Sequence, residues 1–216
     1  MRPVTLLLLL SLGAAGQELL GPASAAWDSA PVESWALHRT PPLYATDSVE
    51  AAPLAAVEVR FAKAGGKTFA RLEWPDASRD AAELPQAKAM WQSEGLVVQS
   101  EASDRFFDAC ALMTPAGPVQ GGVFPSLQMG DAGHPVVMYY YSAARGAAVM
   151  EGAGRGTTRR TGETFPARAA HEGGRWAVVM EVPELATGTP VAAAIWDGRQ
   201  QDRDGRKYFS TWYKMR

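Results

Sequence analysis

The chemistry available to this chain is limited by what it lacks. It carries three histidines, His38, His134 and His171, and a single cysteine, Cys110. No Gly-x-Ser-x-Gly elbow, His-x-x-x-His pair, phosphate loop or dinucleotide fingerprint is present, and none of the histidines lies in a motif that would pair it with a nucleophile. Carboxylates stand singly at strand ends, as Asp76 does after Trp74-Pro75 and Asp104 does before Arg105, where turn capping is their ordinary role. A hydrolase or nucleotide enzyme is therefore not indicated. One cysteine permits no intramolecular disulfide, no Cys-x-x-Cys-His haem attachment and no cysteine-ligated cluster, so any redox centre must be held without a covalent link. Cys110, within the mostly apolar stretch Phe106 to Met113 interrupted by Asp108, reads as a small buried hydrophobe, with a bond to a partner chain as the other reading.

The elements that must position any site are strands. Val57, Val59 and Phe61 alternate with Glu58 and Arg60; Ala70, Leu72 and Trp74 alternate with Arg71 and Glu73; Trp176, Val178, Met180 and Val182 alternate with Arg175, Ala177, Val179 and Glu181. Each pattern fits a strand with one face on a core. Val136–Ser142 and Val191–Trp196 are apolar on both faces, which predicts central strands. Gly65-Gly66 and Gly173-Gly174 fall where tight hairpin turns are expected. Asp80 to Gln92 has helical composition but is broken by Pro85, so any helix there is short. The expected fold is mainly β, an antiparallel β-sandwich with a few short helices.

The amino terminus has Arg2, an apolar core from Val4 to Ala15, and small residues at Ala23-Ser24-Ala25-Ala26, the layout of a secretory signal peptide over residues 1–26. Residues 27–53 read as an irregular Pro-rich arm and residues 54–216 as one domain. Export places the mature protein in the periplasm, and no later apolar run is long enough to span a membrane. The formal net charge is -2, from 21 basic and 23 acidic residues, which gives no reason to expect nucleic acid as a partner. The basic loop Gly152 to Pro166, with Arg155, Arg159 and Arg160, reads as a solvated loop or as a docking point for an acidic redox partner.

Several ordered motifs carry a resemblance to a known family. They are Val57-Glu58-Val59-Arg60, Leu72-Glu73-Trp74-Pro75-Asp76, Asp104-Arg105-Phe106 with Asp108-Ala109, Pro125 to Asp131, and Trp196-Asp197-Gly198 through Gly205-Arg206-Lys207 to Ser210-Thr211-Trp212-Tyr213. In order and spacing they resemble the haem-binding gamma subunit of the ethylbenzene dehydrogenase, dimethylsulfide dehydrogenase, and chlorate and selenate reductase family. The resemblance implies one non-covalent haem b in a β-sandwich pocket, with Met129 and Lys207 as axial ligands of the iron. A thioether is a soft, neutral ligand that favours ferrous iron, and a lysine can ligate only as the neutral amine. Gly130, directly after Met129, would let a flat macrocycle approach the backbone closely. His134, five residues after Met129, competes as a ligand, because histidine is a common haem partner. Tyr208, Phe209 and Trp212 could wall a macrocycle, and Arg206 could meet a propionate.

The resemblance implies a non-catalytic electron-transfer subunit. Its partners would be a molybdopterin-containing alpha subunit, an iron-sulfur beta subunit, and a soluble cytochrome or quinone-linked carrier. Two other readings stand beside it: a secreted carbohydrate- or ligand-binding sandwich whose stacking face would use Trp91 or Tyr139 to Tyr141, and a free-standing haem b carrier.

Overall fold

The structure, a computed structural model, describes residues 15–41, 54–81, 88–92, 95–99 and 106–216. Asp104 and the Pro85 region, where a short helix is expected from the sequence, lie outside these residues; the chain resumes as a strand, Lys88–Gln92.

Fourteen strands are present among the described residues: β1 (Glu33–Arg39), β2 (Ala56–Ala64), β3 (Lys67–Pro75), β4 (Lys88–Gln92), β5 (Gly95–Gln99), β6 (Ala109–Pro115), β7 (Val136–Ser142), β8 (Gly146–Gly152), β9 (Arg159–Arg160), β10 (Ala167–Glu172), β11 (Arg175–Pro183), β12 (Pro190–Trp196), β13 (Tyr208–Ser210) and β14 (Tyr213–Lys214). The strands β4 and β5 form a separate hairpin. The others join in one antiparallel sheet of order β10-β11-β3-β2-β1-β13-β12-β6-β7-β8-β9, with β14 against β12. Both predicted hairpin turns form, at Gly65-Gly66 and Gly173-Gly174, with positive φ at all four glycines.

The mainly β expectation holds, with the strands joined in one curled sheet rather than in two separate ones. Two separate sheets would require a break in the hydrogen-bonded ladder, and β1 closes that break: it pairs with β2 on one side and with β13 on the other. The result is a single curled sheet. β1 also corrects the reading of residues 27–53 as an irregular arm, since Trp35 and Leu37 alternate inward and Trp35 is fully buried.

The inside of the curl is the main core, with Trp35, Val57, Val59, Leu72, Trp74, Leu112, Val178, Met180 and Ile195 packed together and Cys110 among them. Burial pushes the Cys110 thiol pKa up, as its reading as a hydrophobe requires. Phe69 and Val179 point the other way and are covered by Leu19, Leu20 and Trp27, so residues 15–30 pack against β3 and β11. The Trp27 indole Nε1 donates to the Leu19 carbonyl at 3.0 Å and Arg71 Nε to the Pro22 carbonyl at 2.8 Å.

The two-faced strands explain where a site can sit. In β12, Val191, Ala193 and Ile195 enter the main core while Ala192, Ala194 and Trp196 face the opposite side. There they meet Ala109, Ala111, Met113, Val136 and Met138 from β6 and β7. Alternation thus gives the half β6-β7-β8-β12-β13 a second apolar face, made largely of alanine and methionine.

Candidate functional site

Above that second face lies a cavity of about 580 Å3. Its volume is within the range of roughly 300–1,000 Å3 that holds a cofactor-sized ligand. Aromatic side chains Phe106, Phe107, Tyr140, Trp196 and Phe209 line it, together with Met129, Met138 and Met150. The small residues Ala111 and Ala194 lie beneath, next to Met129 and Lys207.

Lys207 immediately precedes β13, which is gripped between β1 and β12. The Lys207 carbonyl accepts both the Thr40 N–H and the Thr40 hydroxyl at 2.9 Å. The loop before it is fixed by Arg39, whose guanidinium donates two hydrogen bonds to the Asp202 carboxylate, and by the Trp196 indole, which donates to the Asp204 carbonyl at 3.1 Å. With its backbone held, the Lys207 side chain runs inward and is only 5% exposed. No carboxylate pairs with it among the described residues. Its Nζ instead lies 3.4 Å from the Met129 Sδ and 5.2 Å from the centre of the Trp196 ring. Burial, followed by the nearby Arg155 charge, lowers its pKa to about 8. An unpaired buried ammonium is costly, so this amine is poised to be neutral.

Met129 comes from the segment between β6 and β7. Its backbone is left-handed, with φ of 71°, uncommon for a residue with a side chain. The turn is held by the Gly130 N–H donating to the Ser126 carbonyl and the Gly154 N–H donating to the Met129 carbonyl, both at 2.8 Å. Gly130 follows at φ of 76°, and a Cβ there would lie 2.8 Å from the His134 carbonyl oxygen. The close approach that Gly130 permits is therefore to backbone of the chain itself.

The structure brings together the two residues that the motifs singled out, 78 positions apart. His134 sits elsewhere: its ring pairs with Asp131 at 2.8 Å, both side chains are 44% exposed, and it is not among the cavity-lining residues. That contact holds the Asp131 carboxyl below its ordinary pKa. Of the three aromatics expected as walls, Phe209 lines the cavity. Tyr208 is buried in the main core and Trp212 stacks on Phe124. Arg206 lies 3.6 Å from Asp202, whereas Arg145, Arg155, Arg160 and Arg203 reach the cavity. Arg155 and Arg160 belong to the basic loop read as solvated, in which Arg159–Arg160 forms the short edge strand β9. Their only sequence signal was the charge of that loop. His38 is exposed, while His171 is half-buried, its Nε2 2.8 Å from the Asp76 carbonyl.

A thioether and a buried amine of lowered pKa, without a carboxylate partner, meet in an aromatic cavity, an arrangement chemically suited to a soft metal or haem iron. No family model matches the chain. Among curated proteins it is similar to a respiratory nitrate reductase heme subunit of Haloferax mediterranei, 26% identical over 208 residues, covering 89% of this chain and 66% of that protein. It is also similar to the chlorate reductase subunit gamma of Ideonella dechloratans, 27% identical over 220 residues, covering 95% of this chain and 82% of that subunit. The chain is thus similar to reductase heme and gamma subunits, in line with the resemblance that the motifs carry, and its match spans about two thirds of the length of the haloarchaeal one.

Proposed function

We propose that the protein is a non-catalytic electron-transfer subunit of a reductase complex and holds one haem b in the cavity between Met129 and Lys207. The observation that carries this is the buried, unpaired Lys207 amine, 3.4 Å from the Met129 sulfur at the cavity wall. The residues fit the group. A thioether and a neutral amine are both competent iron ligands, and Met129 and Lys207 are the residues that would hold the iron. Phe209, Trp196 and Tyr140 offer faces and edges to a macrocycle, and Arg145, Arg155, Arg160 and Arg203 offer donors to its carboxylates. When bound, the haem supplies a one-electron couple. The chain would hold both ligand side chains, and burial lowers the Lys207 pKa to about 8, so that less work is needed to displace its proton when iron binds.

Both relatives are named for reductases, which supports electron flow toward a catalytic subunit. The partners are then a molybdopterin-containing alpha subunit, an iron-sulfur beta subunit and a soluble cytochrome or quinone-linked carrier. No helix among the described residues is long and apolar enough to cross a membrane. The periplasm is the proposed location, reached through an amino-terminal signal. Burial of Leu19 and Leu20 and the Trp27 to Leu19 hydrogen bond support cleavage before Leu19 rather than at the end of residues 1–26. Sequencing the amino terminus of the exported protein separates the two positions.

The test is an oxidised-minus-reduced spectrum of the purified protein with a pyridine haemochrome assay. Sharp low-spin bands and b-type haemochrome are expected. A protein that takes up no haem under adequate haem supply would overturn the reading. The stacking face of the sugar-binding alternative is not favoured: Tyr139 is buried against Phe165, and Tyr140 packs edge-on against Trp196.

A further inference from the structure

Away from the cavity, three acidic residues converge from three parts of the chain. Asp76 follows β3, Asp108 precedes β6, and Asp197 follows β12; one carboxylate oxygen from each lies within 4.8 Å of the others. Asp76 and Asp108 are 8% and 1% exposed. No lysine or arginine pairs with any of the three among the described residues.

Their neighbours satisfy them only partly. Asp108 accepts the Gly198 N–H at one oxygen and the Asp80 N–H and Trp176 indole N–H at the other. Asp197 accepts from the backbone and side-chain amides of Gln200. Asp76 Oδ1 accepts from Ser78, but Asp76 Oδ2 is fully buried with no hydrogen-bond partner. A buried carboxylate oxygen with no donor costs more than the proximity of three acids alone explains. Folding keeps these groups together, so something compensates them.

We propose that Asp76, Asp108 and Asp197 bind one calcium ion. All three donors are oxygens with no nitrogen or sulfur among them, which selects a hard cation. They come from loop and strand-end positions, and calcium, with six to eight ligands in adaptable geometry and water completing the shell, suits such a set better than magnesium. The ion would tie the ends of β3 and β12 to the start of β6. Asp197 begins the loop that ends at Lys207, so the same ion would anchor that loop. The proposal stands apart from the haem reading, since neither Met129 nor Lys207 contributes to it.

The full chain, stripped with EDTA, would be titrated with Tb3+ under tryptophan excitation. Trp176 is well placed as the donor, its Nε1 3.0 Å from Asp108. The expected result is saturable sensitised emission at one equivalent, displaced by calcium. Calcium a hundredfold above its Kd should raise the melting midpoint by roughly 5–10 °C. Asp197→Asn, at the most exposed of the three positions, should fold normally and lose about tenfold or more in affinity, because affinity follows ligand charge count. If that variant does not fold, Asp76→Asn is read in the same way. Absence of both saturable emission and a calcium-dependent midpoint in the parent, emission that calcium does not displace, or unchanged affinity in the variant would each overturn the assignment. The haem spectrum is a separate readout in the same sample, so failure here leaves the cavity reading untouched, and the reverse.

Discussion

The loop from Asp197 to Lys207 has an unpaired buried acid cluster at one end and an unpaired buried base at the other. At the Lys207 end burial lowers an amine pKa to about 8; at the Asp108 end burial raises a carboxyl pKa to about 7, against the backbone hydrogen bonds from Gly198 and Asp80. Between them the loop is fixed by the Asp202–Arg39 pair and by the Trp196 indole donating to the Asp204 carbonyl. An intramolecular salt bridge would have been the simplest way to relieve both. On the two readings proposed above, each group would meet its own outside partner, haem iron at one end and a hard cation at the other.

The largest effect expected from breaking this symmetry is at Asp108. Its folded pKa lies above its unfolded value, so the folded state holds a proton that the unfolded state has already lost. Stability therefore falls as pH rises from about 4 to about 7, by on the order of 4 kcal/mol. Denaturant midpoints in EDTA should show this decline, and Asp108→Asn should flatten it.

Lys207 should give the opposite sign. Its folded pKa lies below the ordinary 10.5, so the unfolded state binds the extra proton and haem-free stability rises between about pH 8 and 10.5, by about 3 kcal/mol. Lys207→Met should remove that rise and stabilise the haem-free protein at pH 7. In the same variant the low-spin haem spectrum should disappear; an unaltered spectrum would remove Lys207 as a ligand.

Gly130→Ala comes next. A Cβ 2.8 Å from the His134 carbonyl, at a left-handed φ, should cost about 1–3 kcal/mol and displace Met129, read as a lower melting midpoint with weakened haem retention. The smallest effect belongs to His134→Ala. The ring is half-exposed, so stability should change by less than about 0.5 kcal/mol and the haem spectrum should not move. A changed spectrum would transfer the ligand role from Met129 to His134.

The strands were legible where one face is polar, because alternation in Val57 to Phe61, Ala70 to Trp74 and Trp176 to Val182 is a local property of an extended chain. The runs Val136–Ser142 and Val191–Trp196 were legible as central strands, since only burial on both faces tolerates unbroken apolarity. β1 was hidden among prolines and small residues, and with it went the continuity of the sheet. The pairing of Trp35 with Val57 and of Leu37 with Ser210 joins residues far apart in sequence and leaves no local mark.

The same division holds at the site. Met129 and Lys207 were singled out by the family resemblance that the ordered motifs carry and not by residue type alone, and the absence of cysteine and histidine motifs excluded covalent haem and the commonest catalytic arrangements. Only the tertiary structure decided that these two side chains meet, that Trp196, Tyr140 and Phe209 surround them while Tyr208 and Trp212 do not, and that Arg155 reaches in from a loop. It alone revealed that three carboxylates, each ordinary as a turn residue, share one buried space. The physical reason is that burial and electrostatic coupling depend on distance in space: a lysine among arginines and aspartates looks solvated in sequence, and becomes an available amine only when the sheet closes around it.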